Sequence, residues 1–165
     1  MHHPIRVLFL CTGNSARSQM AEGLLRYWGR DDFDVASAGT EPRGVHPLAI
    51  ATMEQIGIDI SQQRSKHLDE YIGHTFEYII TVCERAKDSC PTFPDDAECI
   101  HWNFPDPVNI VGTPEVMEQA FRRVRSDLSE RIRLWVLIQR KLLRDTLHHN
   151  ANDAQEINRS TIVGA

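Results

Sequence analysis

The pattern of apolar and polar positions changes period along the chain, and the changes mark out its elements. Val7, Leu8, Phe9 and Leu10 form a continuous apolar run that leads into Cys11. A run of that length, leading into a small polar stretch, predicts a strand. A small, polar stretch containing Gly13 follows, and an amphipathic pattern over residues 15–29 predicts a helix. Residues 33–39 read as a short second strand closed by small residues. Pro47 suits the first turn of a helix reaching Ile56, with Gly57 placed to cap it, and another short helix is expected over 68–72. Tyr78, Ile79 and Ile80 are the apolar centre of a third strand over 76–82, and residues 99–102 offer a short fourth. From Pro114 onward, Met117, Phe121, Val124, Leu128, Ile132 and Trp135 recur every three or four residues, which predicts a long helix. The periodicity lapses after Leu147, so residues 148–165 are expected to form a flexible tail.

Strands alternating with helices imply an α/β fold, a parallel sheet with helices on both faces and right-handed crossovers. With 165 residues, 41% of them hydrophobic, there is material for one compact core, and residues 1–147 are expected to be a single domain. The formal net charge of −5 supplies no field that would draw the protein to nucleic acid or anionic membrane. The apolar run before Cys11 is too short for a signal sequence and no segment is long enough to span a bilayer, so a cytoplasmic protein is expected; a monomer is expected as well, although no sequence signal fixes the oligomeric state. Four cysteines in that compartment point to metal or redox chemistry before a disulfide framework. On the long helix, Arg122, Arg123, Arg125, Arg133 and Arg140 read as a solvated face with Asp127 and Glu130 as local partners.

The candidate chemistry lies between the first strand and the first helix. A loop entering a helix points unpaired backbone N–H groups at one spot, and the helix dipole adds positive charge there. Gly13 and Asn14 tolerate positive φ and can fold the backbone into a nest of amides built from Thr12, Gly13, Asn14, Ser15, Ala16 and Arg17. Arg17 adds a planar fork suited to a tetrahedral oxyanion. Cys11 at the floor of such a cup is expected to have its thiol pKa lowered, to roughly 3.5–7.5, and Ser18 could lower it further by a hydrogen bond. A nucleophile in an oxyanion cup predicts attack on phosphorus, arsenic or a similar centre. No metal ligand set is expected. The six-residue gap between Cys83 and Cys90 is unlike structural zinc spacing, and Cys99 and His101 read as structural strand residues. Were residues 83–90 one helix, seven residues at ~1.5 Å each would hold the two sulfurs' backbones roughly 10 Å apart, beyond the ~4.4–6.8 Å of a disulfide. A bond between them would require unwinding.

The Cys11-x5-Arg17-Ser18 arrangement after a first strand resembles the low-molecular-weight tyrosine phosphatase family. The longer stretch Gly13-Asn14-Ser15-Ala16-Arg17-Ser18-Gln19-Met20-Ala21-Glu22-Gly23 is more similar to the thioredoxin-coupled arsenate reductases built on the same fold. The resemblance covers roughly residues 6–137. It implies a three-layer, flavodoxin-like arrangement with strand order 2-1-3-4. It also implies reduction of arsenate to arsenite through a Cys11 adduct and a Cys11, Cys83, Cys90 disulfide relay, regenerated by thioredoxin, with no bound cofactor. Phosphate and sulfate would compete as oxyanions. Asp106, in Phe104-Pro105-Asp106-Pro107, falls at the family's general-acid position. Val108 and Asn109 stand where the phosphatase branch often has ring-holding aromatics. Some thioredoxin-coupled members carry a potassium site beside the loop. Asn14, Glu22 and Ser37 match three of its ligands, but Lys66 replaces the fourth, an aspartate, and its ammonium could take the cation's place. The alternative is a phosphatase hydrolysing phosphate monoesters through a phosphocysteine, using the same Cys11, Arg17 and Asp106.

Overall fold

The computed structural model describes the backbone of residues 3–88 and 97–163, with side chains for 3–86 and 97–152. Four strands, β1 (Ile5–Cys11), β2 (Phe33–Gly39), β3 (Tyr78–Thr81) and β4 (Glu98–His101), form one parallel sheet in the order β2-β1-β3-β4. This is the expected order. β1 is central because it is the apolar strand: Val7, Leu8 and Phe9 are fully buried, so consecutive residues, which point to opposite faces, are both covered. Each such side chain contributes about 1.5–3 kcal/mol. β4 lies at the edge, and there Cys99 is exposed, while the His101 ring is bonded to the Thr81 hydroxyl at 2.7 Å.

The helices are α1 (Arg17–Gly29), α2 (Pro47–Glu54), the short α3 (Glu84–Asp88) and α4 (Pro114–Val163). α2 ends where Gly57 takes φ 77°, and the N–H groups of Gly57 and Ile58 turn back onto the carbonyls of Glu54 and Met53. Residues 68–71 form a single 3₁₀ turn, shorter than the helix expected there. α4 buries Phe121, Val124, Leu128, Ile132 and Trp135. Trp135 packs against Phe33, Tyr78 and Trp102.

Two features of α4 go beyond its sequence pattern. Its backbone does not leave the helix after Leu147 but continues to Val163. Neither glycine nor proline occurs between residues 115 and 163, so no stop signal interrupts it. Arg122, Arg123 and Arg133 are exposed, as a solvated face requires, but Arg125 and Arg140 are half-buried, and three of the five arginines reach beyond Asp127 and Glu130 to other elements. Arg125 donates to the Thr52 carbonyl at 2.7 Å, Arg140 pairs with Asp32 at 2.7 Å, and the Arg133 guanidinium lies 4.8 Å from the centre of the Trp28 ring. These contacts tie α4 to α2 and to the end of α1.

Candidate active site

β1 ends at Cys11, and α1 begins at Arg17, two residues later than its pattern suggested, so residues 12–16 are all loop. The loop is built around one asparagine. Asn14 has φ 43° and is fully buried, and its side chain makes four hydrogen bonds. The amide nitrogen donates to the Ser18 hydroxyl at 2.8 Å and to the Ser37 hydroxyl at 2.9 Å; the amide oxygen accepts from Gln19 at 2.9 Å and from the Lys66 backbone at 2.8 Å. Exchanging oxygen for nitrogen would set donors against donors, so this orientation is fixed. Gly39 is needed behind it: a Cβ there would stand 2.5 Å from the Thr12 carbonyl oxygen and 2.9 Å from the Asn14 nitrogen.

Cys11 lies at the floor. Its sulfur accepts from the Asn14 backbone N–H at 3.0 Å and lies 2.8 Å from the Ser18 hydroxyl. Because Asn14 donates to the Ser18 oxygen, the hydroxyl proton is free to point at the sulfur. The pKa expectation is nonetheless corrected. Burial, the dominant influence, pushes the Cys11 thiol above its ordinary value, helped by the neighbouring Cys83, while Ser18, the Asn14 N–H and Arg17 pull it down. A cup that is cationic in composition is also dry, and here the desolvation outweighs the hydrogen bonds and the nearby guanidinium.

Around that floor is a cavity of about 410 Å³, whose walls include Thr12, Gly13, Ser15, Ala16, Arg17, Cys83 and Asp106. Ala16 caps α1 without a side-chain hydrogen bond, which leaves first-turn N–H groups for a ligand. Arg17 is held from above, by the Asp106 carboxylate at 3.0 Å and the Phe104 carbonyl at 3.0 Å. Asp106 also accepts from the Val108 N–H at 3.1 Å. Cys83 is buried two residues past the end of β3, 3.7 Å from the Thr12 hydroxyl. Thus Cys11, Arg17, Ser18, Cys83 and Asp106 converge. Cys90 lies outside the described residues. Among those described, no group of three or more His, Cys, Asp or Glu side chains is placed to hold a metal ion.

Beneath the loop, Ser37 donates a short bond to Glu22, which also pairs with Arg26 at 2.6 Å and with the Lys66 ammonium at 3.6 Å. Lys66 is buried, donates to the Arg64 carbonyl at 2.9 Å, and has its pKa lowered, chiefly by burial. The four loop-supporting residues therefore form one chain of contacts from Lys66 through Glu22 and Ser37 to Asn14. Other contributors escaped sequence reading. The Ser65 hydroxyl bonds the carbonyls of Gly13 and Asn14, Gln19 bonds both Asn14 and the Arg64 carbonyl, and the stem of Arg43 packs against Gly13 at the mouth. Ser65 and Arg43 are far from the loop in sequence and carry no local signal. Gln19 lies inside the motif, but nothing local shows that it reaches across to Arg64.

A nucleophilic thiol under an arginine, in an amide-lined loop at the carboxyl end of the central strand of a parallel sheet, defines a cysteine-dependent oxyanion-handling enzyme fold. Residues 6–148 match the family model described as low molecular weight phosphotyrosine protein phosphatase, and the chain belongs to that family. Among curated relatives, it is 46% identical over 127 residues to a protein named arsenate reductase from Halalkalibacterium halodurans, covering 77% of this chain and 91% of that one. A Bacillus subtilis protein of the same name is 42% identical over the same shares. Among solved structures, one described as an arsenate reductase in the phosphate binding state superposes with a TM-score of 0.64 at 31% identity, covering 81% of this chain and 97% of the other. A low molecular weight protein tyrosine phosphatase from T. tengcongensis superposes with a TM-score of 0.65 at 26% identity, covering 82% and 99%.

Proposed function

We propose that the protein reduces arsenate to arsenite, using thioredoxin as the source of electrons. The observation that carries this reading is the second buried thiol: Cys83 shares the wall of the cavity that Cys11 floors. Hydrolysis of a phosphate ester needs no second thiol, whereas a reduction needs somewhere for the oxidation to go. The relatives named arsenate reductase, and Val108 and Asn109 where a phosphatase would hold an aromatic substrate ring, support the same choice.

Arsenate would sit on the loop N–H groups and draw the Arg17 fork away from Asp106 and Phe104. Cys11 transfers its proton to the bound oxyanion or to Asp106 and attacks arsenic, and a protonated oxygen leaves as water, giving a Cys11 sulfur–arsenic bond. Cys83 attacks the Cys11 sulfur. The sulfur–arsenic bonding pair goes to arsenic, which departs as arsenite, and a Cys11–Cys83 disulfide remains. Cys90 then attacks Cys83 and releases Cys11, and thioredoxin reduces the Cys83–Cys90 bond. The Thr12 hydroxyl, 3.7 Å from the Cys83 sulfur, is positioned to stabilise its thiolate. The buried Lys66 ammonium beside Glu22 stands in for a monovalent cation under the loop, so activity is expected to be indifferent to potassium.

The test is arsenite formation with thioredoxin, its reductase and NADPH, comparing wild type with Cys83→Ser and Cys90→Ser. Both variants should lose multiple turnover, and Cys83→Ser should retain phosphate-ester hydrolysis. Unimpaired arsenite production by both would reject the relay. No arsenite from wild type, with efficient hydrolysis of an aryl phosphate, would make the protein a phosphatase.

A further inference from the structure

Helix α4 carries two apolar faces. One packs into the domain. The other is exposed: Leu134 (58%), Leu137 (63%), Ile138 (48%) and Leu142 (51%). Leu134, Ile138 and Leu142 follow one another at four-residue spacing and so form a row along the helix, with Leu137 beside it. The row borders a groove of about 670 Å³, whose far wall is Trp102, Phe104 and Pro105. Single exposed leucines are ordinary, but a contiguous row on one helix marks an interaction surface. The helix also runs to Val163, beyond residue 148 where the family match ends.

We propose that this face is a homodimer interface, in which two copies of the chain lay α4 helices antiparallel across a two-fold axis at Ile138. The charge pattern selects the partner and the direction. Antiparallel about Ile138, Leu134 stands opposite Leu142 of the partner subunit, and Arg131 stands opposite Asp145 of the partner subunit, each pair occurring twice by symmetry. A parallel pairing would instead set Arg131 on Arg131 and Asp145 on Asp145, opposing like charges. Arg131 and Asp145 are both exposed, and the Arg131 guanidinium already lies beside the row, 5.7 Å from the Trp102 ring centre. The helix between them is roughly 20 Å long. Its face alone is smaller than the ~800 Å² per partner of a standard interface, so association is weak and concentration-dependent.

Sedimentation velocity on the full chain, from about 1 to about 200 µM, tests this. Wild type should move from monomer to dimer across the range, and Leu134→Glu with Ile138→Glu should stay monomeric. If that variant does not fold, the charge exchange carries the test. Arg131→Glu should weaken the dimer ~10-fold or more by setting like charges together, and Arg131→Glu combined with Asp145→Arg should restore it. Four results would overturn the proposal: a wild-type monomer throughout, a dimer that survives both apolar substitutions, a double charge reversal that fails to restore association, or a monomer whose Leu134 and Ile138 amides gain exchange protection only on adding thioredoxin. The last would give the face to the reductant.

Discussion

Ser18→Ala tests how the cup controls its nucleophile. The Ser18 hydroxyl lies 2.8 Å from the Cys11 sulfur, buried, and with the Asn14 amide donating to its oxygen its own proton is free to point at that sulfur. A hydrogen bond to a charged group is worth about 1.5–3 kcal/mol, and 1.36 kcal/mol corresponds to one pKa unit, so the substitution should raise the thiol pKa by roughly 1–2 units. The starting value is already raised by burial, so thiolate is the minor form at neutral pH in both proteins. Its fraction then falls roughly 10- to 100-fold. The remaining thiolate is more nucleophilic, recovering about half of that loss on a logarithmic scale, for a net decrease of roughly 3- to 15-fold. The assay is alkylation of Cys11 by iodoacetamide, followed by intact mass across pH, in a background with Cys83, Cys90 and Cys99 changed to serine. The Ser18→Ala curve should lie to the alkaline side of the parent curve and then cross it, reaching a faster plateau. Superimposed curves, or an acid-side displacement, would refute the assignment of Ser18 as the thiolate's donor.

Lys66→Met removes one partner of a buried pair. Glu22 keeps Arg26 and Ser37, so the loss of stability should fall below the ~3–5 kcal/mol of a fully broken pair, at about 1–3 kcal/mol. Because burial lowers the Lys66 pKa, the folded state holds that proton less tightly than the unfolded chain. Wild-type stability therefore gains from this lysine as pH rises from its folded pKa to the ordinary lysine value, and denaturant midpoints of Lys66→Met should lack that alkaline gain. The same variant should acquire stimulation by potassium over sodium; strong stimulation of wild type would contradict the proposed role of the ammonium. Gly39→Ala forces a Cβ against two backbone atoms of the loop and should lower both thermal stability and phosphate affinity by calorimetry, while an unchanged affinity would detach β2 from the cup. Asp106→Asn should slow turnover about 10²–10⁴-fold as the proton donor is lost, with phosphate binding retained or tightened because Arg17 is freed from its ion pair.

The loop was legible in the sequence because its chemistry is local: Cys11, Gly13, Asn14, Arg17 and Ser18 stand within eight residues, and strand, turn and helix signals flank them. The sheet order was legible through the family resemblance and the apolar centres of β1 and β3. What depends on distance was less so. The direction of the Cys11 pKa is set by burial under α1, β3 and the Asp106 loop, which no count of nearby cations reveals. The tertiary contacts of Arg125, Arg140 and Arg133 were hidden within a solvated-face pattern because their partners, Thr52, Asp32 and Trp28, come from other elements. The helix continued past Leu147 because loss of apolar period is not a stop signal; a glycine or proline would have been. The Lys66 substitution was visible only as a mismatch to a pattern, and its contact with Glu22 needed the fold.

The four-bonded Asn14 has a consequence for selectivity. A loop whose asparagine is buried, fully bonded and backed by Gly39 is shaped before any oxyanion arrives. A rigid tetrahedral receptor of amides and one guanidinium has nothing with which to tell phosphate from arsenate, which match in charge and shape and differ little in size. Under the proposed function, the decision falls after capture. A phosphorus adduct offers Cys83 no reducible centre and goes back or hydrolyses, whereas an arsenic adduct can accept the electron pair and leave. Such an enzyme would be competitively occupied by phosphate yet seldom misdirected by it, its fidelity residing in the redox chemistry of the captured atom.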